Sequence, residues 1–270
     1  MKSRLLVAAV GIPLLLVILF VCPKIVTVLA ISLLSAIGAR ELLYTTGILH
    51  HTRMMLYSMG MAVLVPLWSY IGSPTMPGAA AVTVLGLLLF IEALLAYPEV
   101  KFEGVTGCLF GGIVIPLCLS SIARILLLDT GRHLVLIPIM IPFIADAGAY
   151  FAGRFFGKRK LAPVLSPHKT VEGAIGGLAA GVLSMLIYGL VLDFGFHMEY
   201  HYLWAALYGL LGSLVSIVGD LSFSMIKRET GIKDYGTLFR AHGGVLDRFD
   251  SVIFAAPVVE LLLLVLPVAA

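Results

Sequence analysis

Long apolar runs, each near the length of a membrane-spanning helix, dominate this chain of 270 residues. A helix needs about 17–25 mostly apolar residues to cross a bilayer. Hydrophobic residues make up 60% of the chain and charged residues only 12%, whereas about a quarter of the residues in a soluble domain are charged. The polar surface is too small to cover a water-soluble globule. The sequence therefore predicts an all-α, polytopic integral membrane protein built as a helical bundle.

Charged residues, prolines and glycines divide the apolar sequence into nine predicted membrane spans. The first span follows Lys2 and Arg4 and is not followed by a small-x-small cleavage site, so we expect a retained helix rather than a cleaved signal peptide. The fifth span is interrupted by Gly111-Gly112 and by Pro116, which predict that this span is kinked or split. The predicted spans are 5–21, 25–39, 54–71, 79–96, 104–127, 134–153, 171–192, 202–221 and 251–268.

The distribution of Lys and Arg predicts the orientation of the spans. With the N-terminus in the cytoplasm, fifteen of the 18 Lys and Arg residues lie on the cytoplasmic side, as the positive-inside rule requires. Of the other three, Lys24 and Arg132 lie outside and Arg124 lies within a span. Nine spans then place the C-terminus outside, and we expect the membrane to be the inner (plasma) membrane. The formal net charge of +3 is too small to indicate nucleic-acid binding.

Two polar loops stand out on the predicted cytoplasmic side, at 154–170 and 222–250. Loops of this length are usually functional or disordered, and these two mix charge with Gly, Phe and Leu. We therefore predict N-terminal membrane helices at 1–100 and a catalytic membrane region at 101–270. The three cysteines lie in or beside apolar runs without metal-ligand spacing, so we interpret them as small apolar residues.

The longer loop interleaves acidic and basic side chains, whereas a lipid-headgroup anchor would be mostly basic. Carboxylates can hold Mg²⁺ while substrate phosphates supply the other ligands, and Lys and Arg neutralise phosphate charge. Asp247 and Asp250 are three residues apart and share a helix face, and Asp220 ends the eighth predicted span. One such Asp alone is typical of a helix end. Three of them at one membrane edge, together with Lys227 and Arg228, favour a metal and phosphate site.

The shorter loop ends in Ser-Pro-His-Lys-Thr at 166–170. Within this run, Ser166 and Pro167 predict the start of a helical turn. Lys169 and Thr170 would then lie at the cytoplasmic end of the seventh span, where a phosphate can bind a helix N-terminus. A cytoplasmic anchor explains the basic residues at 158–160 but does not explain this run.

Five further ionisable residues lie inside apolar runs. Asp146 and Glu172 are expected to face the bundle interior or a polar cavity, since such charges are costly in lipid. Glu92, Arg124 and Glu260 are isolated charges. Structural pairing of Arg124 with either glutamate is one interpretation of them, and a functional role is the other.

The motifs between 146 and 250 resemble those of the phosphatidate cytidylyltransferase (CDP-diacylglycerol synthase) family. The family pattern is Ser-x-x-Lys-Arg, then Lys-Asp-x-Gly, then His-Gly-Gly-x-x-Asp-Arg-x-Asp. An upstream Gly-Asp-Leu and a Ser-Pro-x-Lys-Thr-x-Glu-Gly run also match. The residues that carry the resemblance include Ser166, Lys169, Thr170, Asp220, Lys227, Arg228, Lys233, Asp234, His242, Gly243, Gly244, Asp247, Arg248 and Asp250.

The resemblance implies transfer of a cytidylyl group from CTP to phosphatidate, with one or two Mg²⁺ ions as cofactor. It implies Asp220 and Asp247 as metal ligands, with Asp250 and Asp146 as further or supporting ligands. The residues expected to act in catalysis are Asp220, Asp247, Lys227, Arg228, His242 and Asp250. The residues expected to bind substrate and its phosphates are Lys169, Ser166, Thr170, Lys227, Arg228, Lys233, Asp234, Arg248 and, along the triphosphate, His242, Gly243 and Gly244.

Two departures from the family pattern leave the local loop geometry open. Arg240-Ala241 stands where members usually have Pro-Gly, and Phe223 occupies a position that is commonly polar.

Two other functions also stay open. One is a related enzyme that uses another lipid acceptor, such as a polyprenol or an ether lipid. The other is a transporter, although its charges would lie near the bilayer midplane, and here the densest charges lie at one edge. Besides the bilayer, a second copy of the chain is a partner that the sequence leaves open.

Overall fold

The fold is that of a computed structural model, which describes residues 9, 11–72, 75–238 and 243–269. Nine helices lie within these residues, and each overlaps one of the nine predicted spans. The all-α, polytopic fold is thus confirmed. The helices are α1 (Gly11–Val21), α2 (Lys24–Thr45), α3 (Thr52–Ile71), α4 (Thr75–Leu95), α5 (Phe102–Leu127), α6 (Gly131–Phe156), α7 (Val171–Phe196), α8 (Tyr202–Glu229) and α9 (Leu246–Val265).

Length and apolar composition divide the nine helices into two groups. Helices α2 to α8 are each long and apolar enough to cross a membrane. Helix α1 is a shorter apolar helix, and α9 spans 20 residues but carries charged residues in its first turns. A π-helical turn at Phe110–Val114 interrupts α5 just before Pro116, the position where the sequence predicts a kink.

The chain forms two compact units, which we describe separately. The first comprises residues 1–127 and 227–249, and the second comprises residues 128–226 and 250–270. Apolar side chains from α2 to α5 and the connections between these helices form a core in the first unit. Its most deeply buried members are Leu43, Met54, Leu89, Val105 and Cys108.

In the second unit, α6 and α7 pack closely through small residues. A Cβ added at Gly177 would lie 2.9 Å from the carbonyl oxygen of Ala145. A Cβ added at Gly153 would lie 2.9 Å from Thr170 Oγ1. Glycine at these positions lets the two backbones approach, as is common between transmembrane helices. The end of α6 and the start of α7 therefore lie side by side.

A short β-hairpin joins α6 to α7. Strand β1 (Lys160–Ala162) pairs antiparallel with β2 (Ser166–Thr170), with an irregularity in register between them. The prediction that Ser166 and Pro167 start a helical turn is therefore wrong. Pairing with β1 holds both residues in an extended conformation, and α7 begins only after β2 ends.

Thr170 marks the start of α7. It is the N-cap residue, and its Oγ1 accepts a hydrogen bond from the backbone N–H of Gly173 at 3.1 Å. Such a cap satisfies one of the N–H groups that lack a partner in the first turn of a helix. Lys169, the preceding residue, is thereby fixed at the junction of strand and helix.

Both ends of the region predicted as the loop 222–250 are helical. Helix α8 continues to Glu229, so Lys227 and Arg228 lie on a helix rather than in a loop. Residues 222–229 contain no Gly or Pro, so nothing in them stops the helix. The chain turns at Gly231, which has a φ of +71°, and the helical conformation resumes at Leu246.

Candidate active site

A cavity of about 620 Å³ lies in the second unit, between the C-terminal part of α6, the β-hairpin, the start of α7 and α8. Small residues of α6 and α7 form part of its wall, among them Ala149, Gly153, Gly173 and Gly177. The sequence predicted five of the lining residues as site residues. They are Asp146, Ser166, Lys169, Thr170 and Asp220.

An ion pair between Lys169 and Asp220 lies in this cavity. Lys169 Nζ contacts Asp220 Oδ2, and this oxygen is buried. The two side chains are 28% and 22% exposed, so the pair is partly shielded from water but still reached from the cavity. Lys169 comes from β2 and Asp220 from α8. Tertiary structure thus brings together two motifs that lie far apart in the sequence.

Asp146 adds a second carboxylate to the same cavity from α6, as expected for an ionisable residue inside an apolar run. Mg²⁺ is commonly held by one or two carboxylates, with substrate phosphates and waters as the other ligands. Asp146 and Asp220 fit that requirement. No three His, Cys, Asp or Glu side chains are grouped to hold a metal within the described residues, so phosphate oxygens would have to complete the set. The Mg²⁺ assignment and its ligands stay predictions.

Two further cavity residues were missed as site residues from the sequence. Arg154 and His168 both line the cavity, and Arg154 Nη1 donates a hydrogen bond to Tyr150 Oη at 3.0 Å. Arg154 looked like one more cytoplasmic basic residue. His168 lies between two predicted site residues, Ser166 and Lys169, and this position in the run is the signal that could have identified it.

Glu172 has a different position from the predicted one. Its carboxylate does not face the cavity but accepts hydrogen bonds from the backbone N–H groups of Lys158, at 3.0 Å, and Arg159, at 3.2 Å. The backbone N–H of Val171 also donates to the carbonyl of Arg159 at 2.9 Å. Because Glu172 lies in the first turn of α7, beside the base of the hairpin, these bonds tie the hairpin to the helix that follows it.

Asp247 connects three segments of the first unit. Its Oδ1 accepts a hydrogen bond from Lys227 Nζ at 2.9 Å. Its Oδ2 accepts from the backbone N–H groups of Tyr235, at 2.7 Å, and Gly244, at 2.9 Å. The Asp247 side chain is 3% exposed, and Lys227 Nζ also lies 5.4 Å from the centroid of the Tyr235 ring. Because these contacts satisfy both oxygens of the carboxylate, Asp247 can be buried. The role of Asp247 as a metal ligand stays a prediction.

Gly243 and Gly244 lie directly before α9. Gly243 has a φ of +78°, and a Cβ there would lie 2.5 Å from Asp247 Oδ2. Glycine is therefore required at Gly243 both by the backbone conformation and by the carboxylate that it faces. The predicted contact of the two glycines with a triphosphate stays a prediction, and His242 lies outside the described residues.

Glu41 contacts the segment that follows Gly243 and Gly244, although its sequence context did not predict a role there. Its carboxylate accepts hydrogen bonds from the backbone N–H groups of Val245, at 3.0 Å, and Leu246, at 2.9 Å. Only 5% of Glu41 is exposed. It lies at the end of a span beside Arg40, where an acidic residue looks unremarkable. Because its partners are backbone groups more than 200 residues away, no local pattern reveals them.

The remaining predicted site residues differ in exposure. Asp250 is buried, and its Oδ1 accepts a hydrogen bond from the backbone N–H of Ser251 at 2.7 Å. Four others are exposed, and their roles stay predictions. They are Arg228, Lys233, Asp234 and Arg248.

The isolated charge Glu92 has local partners in the first unit. Tyr57 Oη donates a hydrogen bond to Glu92 Oε1 at 3.2 Å, and Arg53 Nη1 lies 3.6 Å from the same oxygen. His51 Nε2 is 3.9 Å from Oε2. The interpretation that Glu92 pairs with Arg124 is therefore wrong. Arg124 donates hydrogen bonds to the hydroxyls of Ser69 and Ser121 and to the carbonyl of Leu117, and its pairing with Glu260 stays a prediction.

Three relatives resemble about half of this chain. One is a phosphatidate cytidylyltransferase of Staphylococcus saprophyticus, 39% identical over 155 residues, which cover 54% of this chain and 58% of the relative. Proteins of the same name from Staphylococcus haemolyticus and Staphylococcus aureus are 40% and 42% identical over 134 and 135 residues, with 50% of each chain covered. The matched part thus spans little more than half of the length of these relatives.

A family model covers nearly all of the chain. The model describes the cytidylyltransferase family, and it matches residues 2–266. The match includes the helices of the first unit as well as the segments that carry the Lys169–Asp220 and Lys227–Asp247 pairs. It extends far beyond the motifs that carried the resemblance in the sequence. The chain belongs to the cytidylyltransferase family.

Proposed function

We propose that this membrane protein is an enzyme that transfers a cytidylyl group from CTP to phosphatidate, giving CDP-diacylglycerol and pyrophosphate. The observation that carries the proposal is the cavity that the Lys169–Asp220 pair lines together with Asp146 and Arg154. A site for a metal–triphosphate needs both carboxylates and cations. The names of the relatives, phosphatidate cytidylyltransferase, supply the substrate pair.

The proposed reaction is a displacement at phosphorus. An oxygen of the phosphatidate phosphate forms a bond to the α-phosphorus of CTP. The bond between that phosphorus and the oxygen bridging to the β-phosphorus breaks, and pyrophosphate leaves with the electron pair. The attacking phosphate is already anionic, so the enzyme needs no strong base. The main tasks of the protein are then to position two polyanions and to neutralise their charge.

The residues of the cavity suit these tasks. Lys169 and Arg154 would attract phosphate oxygens, Lys169 as a point charge and Arg154 through its planar guanidinium group. Asp146 and Asp220 would hold Mg²⁺, which when bound supplies positive charge opposite the triphosphate. As the resemblance implies, we propose that Lys227, Arg228 and Arg248 also bind substrate phosphates.

We further propose that the chain lies in the plasma membrane with its N-terminus in the cytoplasm and its C-terminus outside. The asymmetric distribution of Lys and Arg supports this orientation. CTP is made in the cytosol, so the cavity residues must be reachable from that side. The hairpin at 160–170 belongs to a predicted cytoplasmic segment. A homodimer stays a prediction.

Labelled CTP tests the proposal directly. Purified protein in phosphatidate-containing vesicles receives either α-³²P-CTP or γ-³²P-CTP. We expect the α-label in an organic-soluble lipid and the γ-label in pyrophosphate. A γ-label that enters lipid would show phosphoryl transfer instead and would overturn the proposal.

The same assay compares lipid acceptors. Vesicles that contain a polyprenyl phosphate or an ether-linked phosphatidate replace those with phosphatidate, at equal phosphate concentration. We expect labelled product chiefly with phosphatidate. Labelling of the polyprenyl phosphate alone would identify the chain as a cytidylyltransferase for a different lipid. The variant Lys169→Met is the negative control, because it removes a cavity cation.

A further inference from the structure

Glu41 lies at an irregular point of α2. The last five residues of this helix, Glu41–Thr45, form a π-helical turn, and single π-turns inside α-helices are often found at functional sites. The wider turn begins at Glu41 itself. A buried carboxylate at the end of a membrane helix is costly unless it has partners. Its partners therefore indicate what the residue does.

Those partners are the N–H groups at the start of α9. Leu246 is the first residue of α9, and the N–H groups in the first turn of a helix have no partner within the helix. Glu41 accepts from the N–H groups of Val245 and Leu246. A negative charge at this end also opposes the positive end of the helix dipole. Glu41 thus acts as a remote cap for α9.

The loop is shaped to admit this carboxylate. A Cβ added at Gly236 would lie 2.5 Å from Glu41 Oε1, and a Cβ added at Gly244 would contact both carboxylate oxygens of Glu41. Two glycines of the family motifs therefore line the space that Glu41 fills. Neither glycine has to face a substrate to explain why a side chain does not fit there.

Glu41 and Asp247 divide the backbone donors of this segment between them. Asp247 accepts from the N–H groups of Gly244 and Tyr235, while Glu41 accepts from those of the next two residues, Val245 and Leu246. If Glu41 is lost, the backbone beside Asp247 loses two of these four bonds. The Asp247 side chain then keeps only its own bonds to Lys227, Tyr235 and Gly244, without the support that Glu41 gives to the neighbouring backbone.

The structure assigns to Glu41 the role of a positioning residue that holds the segment 243–247, and with it Asp247, in the arrangement that the reaction needs. The part of this inference that concerns CTP rests on the proposed function. Glu41 touches no substrate in this role. It acts through the backbone of the segment that precedes and begins α9.

Hydrogen exchange and kinetics of Glu41→Gln test the assignment. Gln is nearly the same size, but its NH₂ group is a donor and meets one of the two N–H groups, so one hydrogen bond is lost. We expect faster amide exchange in a peptide covering 243–249, with exchange in α7 unchanged. We also expect the KM for CTP to rise about fivefold or more, while the KM for phosphatidate stays within about twofold. Partial unfolding would lower the amount of active enzyme without raising KM.

Gly236→Ala disturbs the contact of Glu41 with Val245 and Leu246 without changing Glu41, because the added Cβ would meet Glu41 Oε1. The variants Glu41→Gln and Gly236→Ala should therefore behave alike. The matched controls are Glu99→Gln, an exposed acid in the same unit, and Gly60→Ala, where a Cβ meets nothing within 4 Å. Both should match the unchanged protein.

Four results separate the possible failures. Unchanged exchange in both Glu41→Gln and Gly236→Ala overturns the contact, and faster exchange with both KM values within about twofold overturns the positioning role. If Glu41→Gln does not fold, Gly236→Ala decides by the same criteria. If the unchanged protein makes no lipid product, the proposed function fails, while the exchange result still decides whether Glu41 holds the segment.

Discussion

The ammonium of Lys227 lies 2.9 Å from Oδ1 of Asp247, and the two side chains are only 12% and 3% exposed. Removing one member of a buried ion pair leaves the other charged and without compensation, which typically costs about 3–5 kcal/mol. Asp247 also accepts two backbone hydrogen bonds. In the folded protein each charge therefore needs the other, whatever the part of the pair in the reaction, and experiments must separate these two roles.

The variant Asp247→Asn is expected to lower both stability and activity. Losing the charge should reduce the free energy of unfolding by about 3–5 kcal/mol, and turnover should fall about a hundredfold or more if the carboxylate stabilises charge in the transition state. Thermal unfolding in detergent and the CTP assay measure the two effects. Asp129→Asn, at an exposed acid, should change neither.

The double variant Lys227→Met, Asp247→Asn then separates scaffold from reaction. With both charges removed, no charge is left buried, so most of the lost stability should return. We expect activity to stay about a hundredfold low, because the pair also serves the reaction. Recovery of more than about a tenth of the original turnover would show that the pair is structural only.

Lys169→Met tests the cavity ion pair. The loss of a cation beside the phosphates should lower kcat/KM by about a hundredfold. The pair is about a quarter exposed, so solvent screening should keep the loss of stability below about 2 kcal/mol. Lys160→Met, at an exposed lysine of the same hairpin, is the matched control. Equal activity of the two variants would contradict the assignment of Lys169.

Arg154→Met tests a residue that only the structure placed at the cavity. We expect kcat/KM to fall about tenfold or more, because a guanidinium group that can bind phosphate is removed. Arg132→Met alters an exposed arginine near the other end of α6 and should leave kcat/KM unchanged. Equal kinetics for both variants would exclude Arg154 from substrate binding.

Removing divalent metal should abolish turnover, and adding Mg²⁺ should restore it. Carboxylates and a triphosphate repel each other unless a cation lies between them. We expect Asp146→Asn and Asp220→Asn to raise the Mg²⁺ concentration for half-maximal activity about tenfold, because each removes one carboxylate. Full turnover in excess chelator would refute the Mg²⁺ prediction.

Reporter fusions test the orientation of the chain. Fusions after Pro77, Lys160 and Ala270 should report outside, cytoplasm and outside. The expectation follows from nine spans and from the excess of Lys and Arg on one side. A cytoplasmic reporter at Ala270 would show that the number of spans is even.

The sequence by itself determined the fold class and the approximate position of every helix. Apolar runs must form helices in a bilayer, because a helix satisfies its own backbone hydrogen bonds. The sequence also predicted Asp146, Lys169 and Asp220 as site residues, since charge in or beside an apolar run is rare and costly, and all three line the cavity. These properties are local, so they can be read from neighbouring residues.

Only the tertiary structure decided which of these residues meet. It paired Lys169 with Asp220, and it placed Glu41 against the backbone of Val245 and Leu246. It also showed that 166–170 is a strand rather than the start of a helix, because pairing with β1 overrides the local preference. Contacts of this kind join segments distant in sequence, and their partners are often backbone groups that every residue carries. No sequence pattern marks such partners, so the folded chain alone reveals them.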